Sequence, residues 1–563
     1  MWVIEDVLRQ TFGPQDGLAL VVPHHHRPKI MLLPRSISFV PAAAVAALMA
    51  CGFSPAREPD AGRGPRPSQT VDAGCDRLCG LSDSGSADAG FVADAGGEGG
   101  AVDAGIDVGV SPSLCPDRAE CRAGADGGQP SLLLTAYADP DDDEVHTLIL
   151  ADGSSIITGQ YYHTINLLGT QLPDPAGGGI GWNVYIVKFD ASGNVQWVSA
   201  YGEEARSVLV RSVLLQNGEV VLPVTSLSDT NTLEELVTLS LNGEFVRSEI
   251  IAQGPDQSGY LKTAASTSNG LVFSGEYYGP GWTIGREAVS GLDSSTGEPR
   301  WFGYVGVWDP ANGLKWIQTE EMQDPDLSWA ANSVHQLSVA PDGTIFWSHS
   351  YRPQTIEAFE PQSGHRAFRS TLASTTVAPF RWAITATPES TVLIAAPFDA
   401  RGESFNFAGQ SLHSTTNSDL YIAEIGEDGS EKWIRTVSGE QRVWSLAISS
   451  TGEFVVGGLL VPRATDWGAG LCQSDGMLEN TYLAAFTRDG TALWSRFLGG
   501  AQTGRTYGGS SLPYDGYINP YEMAALPDGS FAVSGSFWGS VNFGIGDELD
   551  HEWSSAFLLK FSP

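Results

Sequence analysis

One pattern constrains this chain more than any other. An apolar stretch, a tight turn of the Asp-Gly kind and a second apolar stretch return seven times. The copies are HTLILADGSSIITGQY (from His146), SVLLQNGEVVLPVTS (from Ser212), TAASTSNGLVFSGEY (from Thr263), HQLSVAPDGTIFWSHS (from His335), AITATPESTVLIAAPF (from Ala383), SLAISSTGEFVVGGL (from Ser445) and EMAALPDGSFAVSGSF (from Glu522). The fifth copy has Ser390 where the others carry the turn glycine. A second half-repeat alternates with the first: an alternating strand, a Gly turn, and an aromatic four residues beyond the Gly. It reads VYIVKFDASGNVQW (Gly193, Trp197), AVSGLDSSTGEPRW (Gly297, Trp301), IEAFEPQSGHRAF (Gly364, Phe368), LYIAEIGEDGSEKW (Gly429, Trp433) and YLAAFTRDGTALW (Gly490, Trp494), with a degenerate LVTLSLNGEF around Gly243. Period-two alternation bounded by Gly turns makes each half a β-hairpin. Two hairpins in series make a four-stranded antiparallel sheet.

The expected fold is therefore all-β: a seven-bladed β-propeller of four-stranded antiparallel blades over 131–563, about 62 residues per blade. The C-terminal copy stops at AFLLKFSP, a third strand, while SLLLTAYAD from Ser131 has the pattern of a fourth. The strand 131–138 is thus expected to join the C-terminal blade and close the ring, which removes two exposed sheet edges. Composition agrees: 66 Gly, 16 Trp and 16 Tyr with only 17% charged residues suit a turn-rich β protein. The net charge of −35 argues against nucleic acid and anionic lipid as partners, since both reward clustered Lys and Arg.

Residues 1–30, with the triplet His24 to His26, fit no structural pattern and read as an extension upstream of a start at Met31. Residues 31–50 read as a signal peptide, with a short basic Met31–Arg35 region followed by an apolar run from Ile37 to Ala50 that is too short to span a bilayer. Leu48-Met49-Ala50-Cys51 resembles a bacterial lipobox, which implies lipidation of Cys51. Gly52 offers no acidic retention signal, so an outer-membrane lipoprotein, periplasmic or cell-surface, is expected; simple secretion is the alternative. Residues 51–130 read as a disordered tether. Asp-Ala-Gly recurs at Asp60, Asp72, Asp88, Asp94 and Asp103, and such a segment buries too little apolar surface to order itself. As a flexible coil of ~80 residues it spans on the order of 50 Å. It holds two cysteine pairs, Cys75 with Cys79 and Cys115 with Cys121, for which disulfides of open connectivity are favoured over zinc. Cys472 is left as an unpaired thiol.

The runs GSFWGSVNFG and SSAFLLKF, with FNFAGQ…SDLYIAEIGEDGSEKWIRTVSGE and YLAAFTRDGTALWSRFLGGAQTG, resemble the bacterial β-propeller repeat abbreviated SBBP. The resemblance implies a propeller over most of 131–563. That family carries no agreed catalytic residues, so none transfers.

The chain contains no GxSxG, HExxH or P-loop, and no GxGxxG leading into a helix. Accordingly no catalytic residue, cofactor or metal is expected. His146 and His335, near the first strands of their repeats, read as channel polarity, and Asp139 with Asp141 to Glu144 as a solvated acidic turn. The recurring Gly-x-x-x-Trp resembles the docking motif of pyrroloquinoline-quinone propellers, but its apolar setting favours blade-to-blade packing. Long connections at 162–182, 306–332, 398–417, 461–479, 499–520 and 538–553 fall on the face opposite the tight turns, where recognition commonly sits. They carry Trp308, Trp316, Trp329, Trp467, Tyr507, Tyr514, Tyr517, Trp538 and Trp553, aromatics that suit an envelope protein or a glycan. The expected function is a non-enzymatic binding or scaffolding module, a monomeric propeller that touches the membrane only through its lipid. The alternatives are a propeller enzyme, quinone-dependent or glycan-active, and a scaffold for outer-membrane protein assembly like the propeller lipoprotein of that machinery.

Overall fold

The turns decide where each strand ends. In the first, Leu150 accepts from the amide of Gly153, and Asp152 Oδ1 takes the amide and hydroxyl of Ser154. Gly153 sits at φ 81°, a left-handed conformation that glycine adopts at little cost. Ser390, in the copy that lacks glycine, adopts the same conformation at φ 59°. The structure is a computed structural model and describes residues 19–22, 29–32 and, with breaks, 130–561. The expected signal-peptide apolar run, Cys51, Cys75, Cys79, Cys115, Cys121, Asp139, Asp141 to Glu144, Trp329, Tyr507 and Tyr514 lie outside the described residues. Residues 1–108 and 109–563 are separate units. In the first, Ala19–Val22 pairs antiparallel with Lys29–Leu32. No helix among the described residues is long and apolar enough to cross a membrane.

The second unit is a β-propeller of four-stranded antiparallel blades. All seven Asp-Gly-type hairpins form, for example His146–Ile149 with Ser155–Tyr161 and Gln441–Ile448 with Phe454–Leu460. The second hairpins carry a recurrent β-bulge just beyond the turn, with Gln196, Lys432 and Leu493 as the extra residues. A left-handed Gly followed by a bulge is a standard hairpin solution, and the bulge sets the aromatic that follows.

The expected seven separate blades are corrected to six sheets. The four strands at 441–500 and the three at 516–561 belong to one eight-stranded sheet because Gly499 and Gly500 pair with Asn542 and Val541. The same sheet takes in Pro130–Tyr137, antiparallel to Leu549–Phe561, with Pro130 opposite Phe561. The first strands of successive hairpins lie side by side from 259–267 through 335–339, 383–386, 441–448 and 516–525, and the last of these lies against 146–149.

Two further expectations are corrected. AVSGLDSSTGEPRW is not the final hairpin of its sheet. That hairpin is Trp301–Asp309 with Gly313–Glu321, turning at Gly313, and the Asp293 turn belongs to the connection ahead of it. The long connections are also not all irregular. Three carry two-stranded hairpins: Ile165–Leu167 with Thr170–Leu172, Ser404–Phe407 with Gln410–His413, and Ala464–Asp466 with Leu471–Gln473. A short apolar-polar alternation around a turn pairs its own backbone groups and needs no neighbour to do so.

Consecutive sheets meet through an aromatic ring laid on the next turn. Trp197 covers Gly243 and donates its Nε1 hydrogen to the Leu241 carbonyl at 3.0 Å. Trp316 covers Gly364 and donates to the Pro361 carbonyl at 3.0 Å. Phe368 covers Gly429, Trp433 covers Gly490, and Trp494 stacks on Phe561 at 6.1 Å. Between the second and third sheets Arg247 takes the ring's register position, and Trp308 donates instead to Glu249 at 2.8 Å. This is direct sheet-to-sheet packing by the recurring Gly and Trp.

A Cβ on Gly364 would lie 2.6 Å from the Trp316 ring, at a φ of 67°. Gly364→Ala should therefore cost at least about 1 kcal/mol, and Trp316→Ala about 3 kcal/mol or more. In urea unfolding followed by fluorescence, the double variant should lose less than the two single losses together. Additive losses would mean that ring and turn act independently.

Candidate functional site

Three of the nine aromatics expected to form a binding face are spent on the core. Trp308 and Trp316 are only 9% exposed and lie within strands of the third sheet. Trp467 is wholly buried against Tyr482, with ring centroids 4.6 Å apart, and its carbonyl accepts from Arg435. Tyr517 and Trp538 are register partners on Gly516–Ala525 and Phe531–Asn542, and Trp553 lies on Leu549–Phe561. For Trp308, Trp316 and Trp467 the expected binding face is thus corrected: burying a tryptophan between packed strands outweighs holding it in water.

What the sequence reading missed is polar and lies nearer the first strands. Three of these strands carry a bulge, which inserts Lys262, Trp444 and Tyr521 as extra residues. The neighbouring strand answers each bulge with a glycine. A Cβ on Gly275, Gly458 or Gly535 would lie 2.6, 1.8 or 1.8 Å from the carbonyl oxygen of Tyr260, Arg442 or Asn519. Only a bare backbone fits there. The recurring Gly in SGEY, GGLL and SGSF was the available signal. Bulges re-aim side chains, and Trp444 and Tyr521 meet edge to face at 5.1 Å.

Side chains on the first strands bridge the sheets. The Ser445 hydroxyl accepts the Met523 amide at 2.9 Å, and Ser338 the Ala386 amide at 2.8 Å. Glu522 follows its bulge as Ser445 does, and its carboxylate accepts the Thr147 amide at 2.7 Å and lies 3.6 Å from His146 Nδ1. His146 therefore belongs to the joint between 516–525 and 146–149. His335 is the register partner of His349 on the fourth sheet. The two expected channel histidines are not brought together by these contacts.

A buried constellation links the second and third sheets. Glu276, on Gly270–Tyr278, pairs with Lys262 at 2.8 Å. Glu234, on Asn231–Leu239, is fully buried and accepts from the Tyr304 hydroxyl. Burial drives the Glu234 carboxyl up to about 8, with Glu276 adding repulsion and Tyr304 and Lys262 pulling the other way. Tyr304 is pushed upward by burial and then by Glu234. This cluster can keep a carboxylic acid neutral around pH 7 beside an ion pair. A second cluster, Glu320, His349 and Glu357, joins the third and fourth sheets. There burial, then Glu320, pushes Glu357 upward against the pull of Arg366 and Arg369. Those residues could hold a metal ion.

No family model matches this chain, and no curated protein matches it. Among solved structures it is similar to the β-propeller domain of Cps50 (Swd1) from Myceliophteria thermophila, at 8% identity over 77% of this chain and 100% of that one, TM-score 0.38. It is similar to BamB from Moraxella catarrhalis at 11% identity over 77% and 97%, TM-score 0.34. A europium-containing methanol dehydrogenase matches at 10% identity over 76% and 93%, TM-score 0.35. Likenesses of this size carry no functional argument, and the fold rests on the strand pairing described above.

Glu234 gives a testable pH dependence. Its unfolded carboxyl ionises near 4.5, whereas the folded one holds its proton to about 8. The group therefore costs stability progressively as pH rises through that interval, and not below it. Glu234→Gln should raise Tm relative to the parent by an amount that grows between about pH 5 and pH 8. A difference flat across that range would show that the folded carboxyl is already ionised.

Proposed function

We propose that this chain is a lipid-anchored envelope protein whose propeller binds or scaffolds a macromolecular partner without catalysing a reaction. In this reading residues 31–50 are a signal peptide, Cys51 carries the lipid, and the segment to residue 130 is the tether. The SBBP-like units form a ring that 130–137 closes.

The observation that carries the reading is the polarity of the outermost strand. Pro130 lies opposite Phe561, which also pairs with Phe531 just after the tight turn at Asp528 and Gly529. The other end of that sheet extends as Gly539 to Val541 paired with His551 to Leu549. A tether ending at residue 130 thus meets the propeller on the tight-turn face, and the hairpins point the opposite way. Hairpins pressed against lipid would have no access to a partner, whereas a tether of ~80 residues gives the far face wide reach. Beside the exposed Leu168, the hairpins present polar residues, with Thr170, Gln171, Gln410, Ser411 and His413 exposed. With Trp308, Trp316 and Trp467 committed to the core, an envelope polypeptide suits this face better than a stacked glycan.

In a bacterial host fed an alkyne fatty acid, the parent should incorporate label and pellet with membranes, and Cys51→Ser should lose both. Label and fractionation unchanged in Cys51→Ser would overturn the anchored reading. Limited proteolysis should trim the chain to a resistant core beginning near residue 130, and stable fragments starting within 200–500 would contradict the single ring.

A further inference from the structure

We propose that Glu320, His349 and Glu357 form a divalent-metal site of zinc-like preference that clasps the third and fourth sheets. Glu320 lies on the outermost strand of the third sheet, Gly313–Glu321, while His349 and Glu357 come from the two middle strands of the fourth, Ile345–His349 and Gln354–Phe359. One donor atom from each lies within 4.8 Å of the other two. His349 Nε2 and Glu320 Oε2 are 3.8 Å apart. Two ligands of one tetrahedral zinc, each ~2.1 Å from it, are separated by about 3.4 Å. Small side-chain rotations therefore suffice to bring the donors onto an ion.

The set is more than a group of surface acids. The side chains of His349 and Glu357 are 4% and 2% exposed, so neither is free to swing into solvent. The imidazole is wedged by Trp347, with ring centroids 4.8 Å apart, and by the Thr355 hydroxyl 2.6 Å from Nε2. That hydroxyl lies on the same nitrogen that faces Glu320 Oε2, so it must turn aside for Nε2 to ligate an ion. Arg366 and Arg369 hold Glu357 Oε1 at 3.0 and 3.2 Å, and Arg369 also holds Glu320 Oε1. These contacts fix the carboxylates through Oε1 and leave Glu320 Oε2 facing the ring. Glu320 and both arginines are partly exposed, which gives an ion a route in.

One imidazole with two carboxylates suits a borderline transition ion better than Ca²⁺, which takes six to eight oxygens. The arginines oppose a cation, so the site should be of moderate affinity and should tighten when one is removed. The ion would bridge two sheets already joined by the Trp316 ring on Gly364 and by the Arg369–Glu320 pair. Its role is structural. The three donors are separated in sequence by 29 and 8 residues and belong to no motif, so only the folded sheets bring them together.

The test is equilibrium dialysis of the full chain against Zn²⁺ alone, in a background where His24, His25 and His26 are all replaced by Ala so that the triplet cannot contribute. One Zn²⁺ should bind per chain at this site. His349→Ala and Glu320→Gln should each weaken it at least about tenfold, while Arg366→Gln should tighten it. Ca²⁺ at the same concentration should not compete. Glu320→Gln, a partly exposed and conservative change, keeps the test decisive if His349→Ala does not fold. Zn²⁺ affinity unchanged in Glu320→Gln, or lost as severely in Arg366→Gln as in the ligand variants, would overturn the site.

Discussion

The ring depends on a contact between a flat aromatic surface and a backbone turn that has no side chain. Trp197, Trp316, Phe368 and Trp433 each lie on the left-handed glycine of the following sheet. The contact works because two requirements fall on one residue. The turn needs glycine for its dihedral angle, and the ring needs glycine for its approach. Where the indole can also donate, as at Leu241 and Pro361, the turn's outward carbonyl gains a partner. Each sheet is thereby keyed to the next at its outer rim, while hydroxyl and carboxylate bridges key the first strands at the inner rim.

Where the pattern changes, the chemistry of the joint changes with it. Between the second and third sheets the ring position is Arg247, and polar contacts replace stacking: Arg247 with Glu219 and Glu249, Trp308 with Glu249, and the buried Glu234, Glu276, Lys262 and Tyr304 behind them. A buried network of this kind is weak evidence for stability, because desolvation offsets attraction. It does specify one arrangement of the two sheets.

The hairpins were legible because each turn carries its own local reason, an Asp or Ser that caps and a glycine or tolerated residue that turns left-handed. Ser390 shows how local that reason is. The third sheet misled because Gly297 and Trp301 reproduce the motif's spacing, whereas the true pair, Gly313 and Trp316, is one residue shorter. The merging of the last two four-stranded sets depends on how Gly499 and Gly500 meet Val541 and Asn542, a relation between sheets that no local pattern encodes. The same holds for Glu234 and for Glu320, His349 and Glu357, whose partners come from different strands or sheets. The fate of Trp308, Trp316 and Trp467 was misjudged because an aromatic in a long connection looks the same in sequence whether its segment folds down or stands out.

The pairing of 130–137 with 549–561 has a consequence for timing. Its two strands are more than 400 residues apart in sequence, so during synthesis the first must wait for all the intervening sheets to be made. Until then the strand 130–137 is without its partner, and open edges recruit other chains. The entropy of closing so long a loop grows only slowly with length, so the delay, rather than the final stability, is the vulnerable quantity. A strongly negative chain has a physical defence in that interval, because like-charged copies repel while the edge is still open.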